Sequence, residues 1–329
     1  MQNSNKLLQA LGIPFTALLS VIFGLLLVSF PIGIFVVFES DVGGDLNFDY
    51  PITHLELFEG TSIYHAPLDI GIGDVFVVLW SFYAILFVIS ALGPTTSFFK
   101  YLSSIISLGK FDDTKNYMFG ITVWFSVLVF VSVIINLIQE EFGIVTTAPF
   151  EENNLVQFFY VSLAPLIEEI GFRLILLGVP LFALYSKRTS LKYFIRCLWN
   201  PSSLDIFDSK RAVFLVVFIG ILFGFAHIAF GESWSEGKFA QATVGGIILG
   251  WVYLKYGFVA SLLIHWATNY FVYSYANFIA QINYISIDDA FSHSLMSSLE
   301  ILLILSGALS ITVLLVKKFY TKKEYDLEV

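Results

Sequence analysis

Apolar residues along the chain gather in long continuous runs and not in the alternating pattern of sheet strands. We predict eight runs that approach the length of about 20 residues with which a helix crosses a bilayer. They cover residues 14–38, 75–92, 119–138, 155–182, 212–230, 239–254, 258–279 and 299–316. A membrane barrel would need repeated alternating segments of about ten residues, and none is evident. The pattern predicts an all-α, polytopic membrane helix bundle with about eight transmembrane helices.

Composition supports a membrane protein. Of the 329 residues, 57% are hydrophobic and 13% are charged, whereas soluble domains carry about 25% charged residues. Because the apolar runs extend over the whole chain, we expect a single domain, 1–329, where length alone would allow two soluble ones. The single cysteine, Cys197, excludes an internal disulfide and a cysteine-based metal cluster.

Charge is distributed unequally between the two sets of loops. In the eight-helix topology, 15 of the 17 lysine and arginine residues fall on one side, and the opposite loops are mostly acidic. The positive-inside rule then places both termini in the cytoplasm. The two exceptions are Lys238, on the acidic side, and Arg173, inside the fourth run.

Two loops have a composition of their own. Loop 39–74, on the acidic side, is predicted to form an extracytoplasmic lid or cap, and ordered metal-ligand spacing is not visible in it. In the inner loop 186–211, the segment Leu191–Trp199 has apolar residues at helical spacing with basic residues between them. This pattern predicts a short interfacial helix.

Three ionisable residues interrupt the fourth apolar run: Glu168, Glu169 and Arg173. Each such group at bilayer depth costs about 2.5–3.5 kcal/mol on translocon scales, so it is a functional candidate. Glu169 and Arg173 are four residues apart and can form an ion pair on one helix face. Glu168 points about 100° away. A structural ion pair between helices would explain Glu169 and Arg173, but it would leave Glu168 without a role.

Polar residues also interrupt the fifth and seventh runs: His227 in the fifth, and His265 with Asn269 in the seventh. At the rise of an α-helix, His265, His227 and Glu168 lie about 15, 24 and 28 Å from the basic residues that bound their helices. All three positions lie around the middle of the bilayer. The shared depth favours one buried polar site over unrelated structural contacts.

Such a site can hydrolyse an acyl bond in two ways. Glu168, His227 and His265 are a sufficient ligand set for zinc with an open position for water. Without a metal, Glu168 and His227 can deprotonate water while His265 and Asn269 donate hydrogen bonds to the oxyanion. No serine or cysteine stands in a comparable setting, so a covalent route is not expected.

The three motifs are Glu168-Glu169 with Arg173, Phe223 with His227, and His265 with Asn269. In this order on separate membrane helices they resemble the CPBP (Abi) family of intramembrane proteases. That family includes the Ras-converting type of CAAX prenyl endopeptidase and its bacterial and archaeal relatives. Each motif alone is weak, whereas the ordered set is specific. The resemblance covers about residues 155–271.

The resemblance implies that Glu168 is the catalytic glutamate and that His227 helps to activate water. It implies that His265 and Asn269 stabilise the oxyanion, with Glu169 and Arg173 as their support. Within the family a metal-free mechanism competes with a metalloprotease mechanism. We favour the metal-free one and keep zinc as the alternative cofactor.

The function predicted from these observations is endopeptidase activity on a membrane-embedded or lipidated peptide, of the prenylated CAAX type. The expected surroundings are the lipid bilayer, in the plasma membrane of a prokaryote, and no nucleic-acid partner is expected. One alternative is a non-catalytic membrane scaffold or immunity protein of the same family. Another is a transporter whose buried carboxylates and histidines relay protons, although the inverted repeats typical of transporters are not visible.

Overall fold

Helices make up most of the described part of the chain, and no strand occurs within it. The computed structural model describes residues 2–40, 71–109, 115–147, 153–206, 209–229 and 234–328. The predicted all-α class is therefore confirmed. The predicted acidic cap, loop 39–74, lies largely outside the described residues.

The helices are bounded as follows. In chain order they are α1 Gln2–Ile34, α2 Ile72–Leu92, α3 Phe98–Leu108, α4 Tyr117–Glu141, α5 Asn154–Glu169, α6 Val179–Tyr185, α7 Leu191–Trp199, α8 Lys210–Ala229, α9 Lys238–Tyr256, α10 Phe258–Trp266, α11 Val272–Asn283, α12 Ile287–Phe291 and α13 Ser294–Glu328. The π-helical segments Phe35–Glu39, Ile170–Gly178 and Ala267–Phe271 directly follow α1, α5 and α10, and a 3-10 turn occupies Pro201–Leu204.

Five helices in the described ranges are long and apolar enough to cross a membrane. They are Leu8–Glu39, Ile72–Leu92, Tyr117–Glu141, Lys210–Ala229 and Ser294–Phe319. The other three predicted runs are also helical, and each contains charged or polar residues within its apolar sequence. The chain is an integral membrane protein with several apolar helices. The count of eight spans and the cytoplasmic placement of both termini stay predictions.

Two helices lie between the predicted spans where the sequence analysis expected only a loop. Helix α3 is amphipathic and buries Phe98, Tyr101, Leu102 and Ile105, and it packs against α1. Helix α12 is a single short turn. The helix predicted over Leu191–Trp199, in contrast, is confirmed as α7, and its place at the membrane interface stays a prediction. The hydroxyl oxygen of Ser190 caps α7 by accepting a hydrogen bond from the Tyr193 amide.

Helix α10 occupies the centre of the bundle. All its residues from Ala260 to Trp266 are buried, and the helix contacts α2, α4, α5 and α9. It begins directly after Gly257, whose φ of +87° is in the region that favours glycine. A Cβ at this position would also lie 2.7 Å from the Trp199 carbonyl oxygen. Gly257 therefore lets α9 and α10 form a tight helical hairpin.

Helices α8 and α9 approach each other closely through glycines. A Cβ at Gly224 would lie 2.8 Å from the Phe239 carbonyl oxygen, and one at Gly246 would lie 3.0 Å from the Phe223 ring. Small residues permit this backbone approach between membrane helices. Because Gly224 faces Phe239, His227 lies level with the beginning of α9, about one turn further along α8.

Candidate active site

The two adjacent glutamates at the end of α5 have different surroundings. The Glu169 side chain is fully buried, whereas 27% of the Glu168 side chain is exposed. Arg173 Nε lies 3.2 Å from Glu169 Oε2, so the predicted pairing of Glu169 with Arg173 is confirmed. The helix changes to π form at Ile170, directly after the two glutamates. π-helical turns occur often at functional sites.

Glu169 is held from two helices. Its Oε1 accepts a hydrogen bond from Nδ1 of His265 at 3.0 Å, and its Oε2 accepts one from the Ser261 hydroxyl. The latter oxygen also faces Arg173. A buried carboxylate needs such partners to offset its lost hydration. Because both oxygens are engaged, Glu169 is suited to support its neighbours and not to bind water.

Arg173 is fully buried beside an aromatic ring. Its Cζ atom lies 4.7 Å from the centroid of Phe223, a distance at which a cation–π contact is favourable. Its terminal nitrogens Nη1 and Nη2 have no hydrogen-bond partner within the described residues. The charge of Glu169 and the ring of Phe223 are therefore the principal compensation for burying this guanidinium.

Glu168 faces both histidines. Its Oε2 lies 3.7 Å from Nε2 of His265 and 3.9 Å from Nε2 of His227. Nδ1 of His227 donates to the Phe223 carbonyl oxygen at 2.9 Å, and Nδ1 of His265 donates to Glu169. In a neutral imidazole, the other ring nitrogen is then an acceptor. Three acceptor atoms thus point towards one another, so they need a donor between them.

Asn269 is placed differently from the other predicted residues. It is half-buried in the π segment after α10, and its Oδ1 accepts a long hydrogen bond of 3.5 Å from Thr268. Among the described residues, no hydrogen bond joins its side chain to either glutamate or either histidine. The structure therefore brings Glu168, Glu169, Arg173, His227 and His265 together, and Asn269 lies along the same helical segment.

On α8, the site lies close to the end of the helix. His227 is two residues before the end of α8, and the backbone amide of Trp234 donates to its carbonyl oxygen at 3.2 Å. The sequence placed the polar groups around the middle of the bilayer. Glu168, His227 and His265 lie close together, which agrees with a shared depth. On α8, that depth is close to the connection with α9.

The sequence analysis did not include Ser261 in the site. Ser261 is buried in α10, one turn before His265. The polar residues Ser261, His265 and Asn269 recur every four residues. This spacing was the sequence pattern that could have identified Ser261 as a site residue. A serine in an apolar helix usually bonds its own backbone, so the sequence alone does not show that Ser261 reaches Glu169.

Zinc stays the alternative cofactor, with Glu168, His227 and His265 as the ligands considered from the sequence. In the described ranges, no group of three or more His, Cys, Asp or Glu side chains is arranged to hold a metal ion. Tetrahedral zinc with bonds of about 2.0–2.2 Å would place its donor atoms about 3.3–3.6 Å apart. The contacts of Glu168 Oε2 with His265 and His227, at 3.7 and 3.9 Å, lie within a few tenths of an ångström of this spacing.

Comparison with protein families supplies an independent finding. Residues 151–271 match the family model described as type II CAAX prenyl endopeptidase Rce1-like. The matched segment includes α5, α8, α9, α10 and all six predicted site residues. Comparisons with curated proteins and with solved structures give no match. Residues 151–271 are thus similar to the Rce1-like type of CAAX endopeptidase, which supports the resemblance of this chain to the CPBP family of intramembrane proteases.

Proposed function

We propose that Glu168 activates a water molecule that hydrolyses a peptide bond in a membrane-bound or prenylated CAAX-type substrate. The family supports a CAAX-type intramembrane protease in general. The observation that supports the role of Glu168 is the difference between the surroundings of the two glutamates. Glu169 is fully buried and bonded, while Glu168 is partly exposed and faces two histidine nitrogens.

The acceptor atoms around Glu168 suit a water molecule. Glu168 Oε2 is buried and has no hydrogen-bond partner within the described residues. Its distances to the two Nε2 atoms are too long for direct hydrogen bonds. Polar atoms at such separations are often joined by water, and a water can donate two hydrogen bonds. We infer that one water donates to Glu168 and to His227 or His265.

The chemical step follows from this placement. Glu168 accepts one proton of the water while the water oxygen forms a bond to the peptide carbonyl carbon. The carbonyl electron pair moves to its oxygen and gives a tetrahedral oxyanion. When the oxyanion collapses, the C–N bond breaks and Glu168 returns the proton to the leaving nitrogen. The products are a carboxylic acid and a free amine, and the acid then loses its proton to the solvent.

His265 lies beside the place where the oxyanion would form. Its Nδ1–H is directed at Glu169, which fixes the orientation of the imidazole, and its Nε2 lies 3.7 Å from Glu168 Oε2. The family resemblance implies that His265 donates a hydrogen bond to the oxyanion. Asn269 is the second donor that the family resemblance implies.

The test compares Glu168→Gln with the wild-type protein in proteoliposomes, with a fluorogenic prenylated peptide as substrate. The amide keeps the shape but accepts a proton poorly, so we expect a loss of about 10²–10⁴-fold in kcat. Glu300→Gln, an exposed position on α13, is the matched control and should keep full activity. If Glu168→Gln retains half of the wild-type rate, the proposed role of Glu168 is wrong.

The metal alternative is tested on the same preparation. Metal analysis of the purified protein is paired with activity after prolonged chelation and after addition of zinc. The proposal expects the same rate in all three samples. A chelated enzyme that loses activity and regains it with zinc would replace the metal-free mechanism.

The non-catalytic and transporter alternatives predict other outcomes. A scaffold or immunity protein would cleave no peptide with any sequence variant. A proton-coupled transporter would lose uptake in Glu168→Gln without having hydrolysed the peptide. If the wild-type protein cleaves the peptide and Glu168→Gln does not, both the non-catalytic and the transporter alternatives are excluded.

A further inference from the structure

Lys238 is a basic residue without an assigned role beside the site. It lies on the acidic side of the predicted topology and precedes the predicted span 239–254. It is half-buried, and its ammonium lies 4.0 Å from the centroid of the Trp234 ring. Within the described ranges it forms no ion pair, whereas Arg173, the other exception to the charge pattern, pairs with Glu169.

The backbone places Lys238 next to His227. Lys238 is the first residue of α9, and the contact between Gly224 and Phe239 puts His227 level with this turn. The segment that precedes Lys238 forms hydrogen bonds with two helices, α8 and α4. Trp234 N–H donates to the His227 carbonyl oxygen at 3.2 Å, and Gln139 Nε2 donates to the Gly237 carbonyl oxygen at 2.8 Å.

Electrostatics also connect Lys238 with the catalytic groups. Its charge interacts with the carboxylate of Glu168 and with His227. Burial lowers the pKa of Lys238 to about 8, and Glu168 opposes that shift. The ammonium is still mostly protonated at neutral pH. The site therefore presents a desolvated cation near, but not bonded to, the carboxylate that would activate water.

A half-buried ammonium without an ion-pair partner is suited to an anionic ligand, because desolvating a charge is unfavourable unless an opposite charge compensates it. A peptide substrate carries one such group at a fixed place, its C-terminal carboxylate. Lys238 lies level with His227, whose Nε2 is 3.9 Å from Glu168 Oε2. A carboxylate held by Lys238 would therefore leave a peptide bond further up the substrate within reach of Glu168.

We propose that Lys238 binds the free C-terminal carboxylate of the peptide substrate and so determines which bond is cleaved. The inference rests on the proposed function, because the carboxylate is positioned relative to the water that Glu168 activates. Lys238 is a binding residue in this proposal, and it takes no part in proton transfer.

The test uses two prenylated peptides of identical sequence, one with a free C-terminal carboxylate and one with a carboxamide. We expect the wild-type protein to cleave the carboxylate peptide with a kcat/KM about 10–100-fold higher, as for a hydrogen bond between charged groups. Lys238→Ala and Lys238→Gln should bring this ratio close to one by raising KM for the carboxylate peptide. Lys238→Arg should retain much of it.

Lys192→Ala is the control, because it removes an exposed lysine from the interfacial helix α7, and it should leave the ratio unchanged. Equal cleavage of both peptides by the wild-type protein would overturn the inference without any variant. An unchanged ratio in Lys238→Ala would also overturn it. An equal fall in kcat for both peptides would show that Lys238 acts on Glu168 instead.

A binding measurement separates this inference from the proposed function. Fluorescent forms of both peptides are titrated against wild-type protein and Lys238→Ala in nanodiscs, each in a Glu168→Gln background. Tighter binding of the carboxylate peptide that depends on Lys238 supports the inference even if no peptide is cleaved. Equal binding of both peptides overturns it even if cleavage is intact.

Discussion

His265 and Glu169 are joined across α10 and α5 by a hydrogen bond of 3.0 Å from Nδ1 to Oε1. The contact connects two residues that are 96 positions apart in the chain. It fixes the orientation of the imidazole and directs Nε2 towards Glu168. Glu169 therefore connects the ion pair with Arg173 to the histidine that faces the reacting groups. This relationship explains why the two neighbouring glutamates should respond differently to substitution.

Glu169→Gln should weaken folding, whereas Glu168→Gln should leave the fold intact. The first substitution leaves Arg173 buried without its anion, and breaking one partner of a buried ion pair costs about 3–5 kcal/mol. Thermal unfolding and gel filtration in detergent measure the effect. Glu168, which is partly exposed and whose Oε2 has no hydrogen-bond partner among the described residues, is the matched control. Equal destabilisation by both substitutions would contradict the division of roles.

Ser261→Ala should destabilise the protein by about 1–3 kcal/mol, because Glu169 Oε2 loses a buried donor. Ser162→Ala is the matched control. Ser162 is also buried, but its hydroxyl donates to the carbonyl oxygen of its own helix, at Phe158. We expect Ser162→Ala to change stability by less than half as much in the same unfolding measurement. A larger effect from Ser162→Ala would indicate that the bond from Ser261 to Glu169 contributes little.

Gly224→Ala should reduce both stability and activity. Its Cβ would lie 2.8 Å from the Phe239 carbonyl oxygen, so α8 and α9 must separate, at a cost of about 1–3 kcal/mol. The movement displaces His227, one turn along the same helix. Gly24→Ala is the control, since a Cβ there meets no atom within 4 Å. That change should be neutral or stabilising by about 0.5–1 kcal/mol.

The measurements are thermal unfolding and peptide cleavage on the same samples of both glycine variants. A Gly224→Ala protein with wild-type stability and rate would show that the helices adjust without moving His227. Reduced stability with an unchanged rate per folded molecule would show that the position of His227 tolerates the movement.

Local spacing was sufficient to predict part of the site. The interval of four residues predicts the pair of Glu169 and Arg173, because both residues belong to one helix. The bond between Glu169 and His265 depends on how α5 packs on α10, which no local pattern contains. Ser261 was missed for the same reason. The motif order and the family resemblance indicated that these helices meet, but not which atoms bond.

The fold shows a similar limit. Long apolar runs predict the all-α class and the approximate positions of the spans, because hydrocarbon thickness sets their length. A search for such runs overlooks α3, which has only 11 residues. The π segments Ile170–Gly178 and Ala267–Phe271 were not predicted either. A hydropathy pattern indicates which residues are buried in an apolar environment. It does not distinguish a π-helical segment from an α-helical one.

The preference for the carboxylate peptide should fall as pH rises through about 8. Burial lowers the pKa of Lys238 to about 8, so the ammonium that binds the carboxylate is present below that pH and is lost above it. Glu168 on α5 and His227 on α8 are the titratable groups whose charges interact with it. Their own ionisation affects the cleavage of both peptides.

The measurement is therefore the ratio of kcat/KM for the carboxylate and carboxamide peptides between pH 6 and pH 10. The ionisation of Glu168 and His227 cancels in this ratio, because it acts on both substrates, and kcat/KM reports groups of the free enzyme. Lys238→Arg should give a ratio that stays constant over this range, since arginine remains protonated. A wild-type ratio that is equally constant would show that a group other than Lys238 recognises the carboxylate.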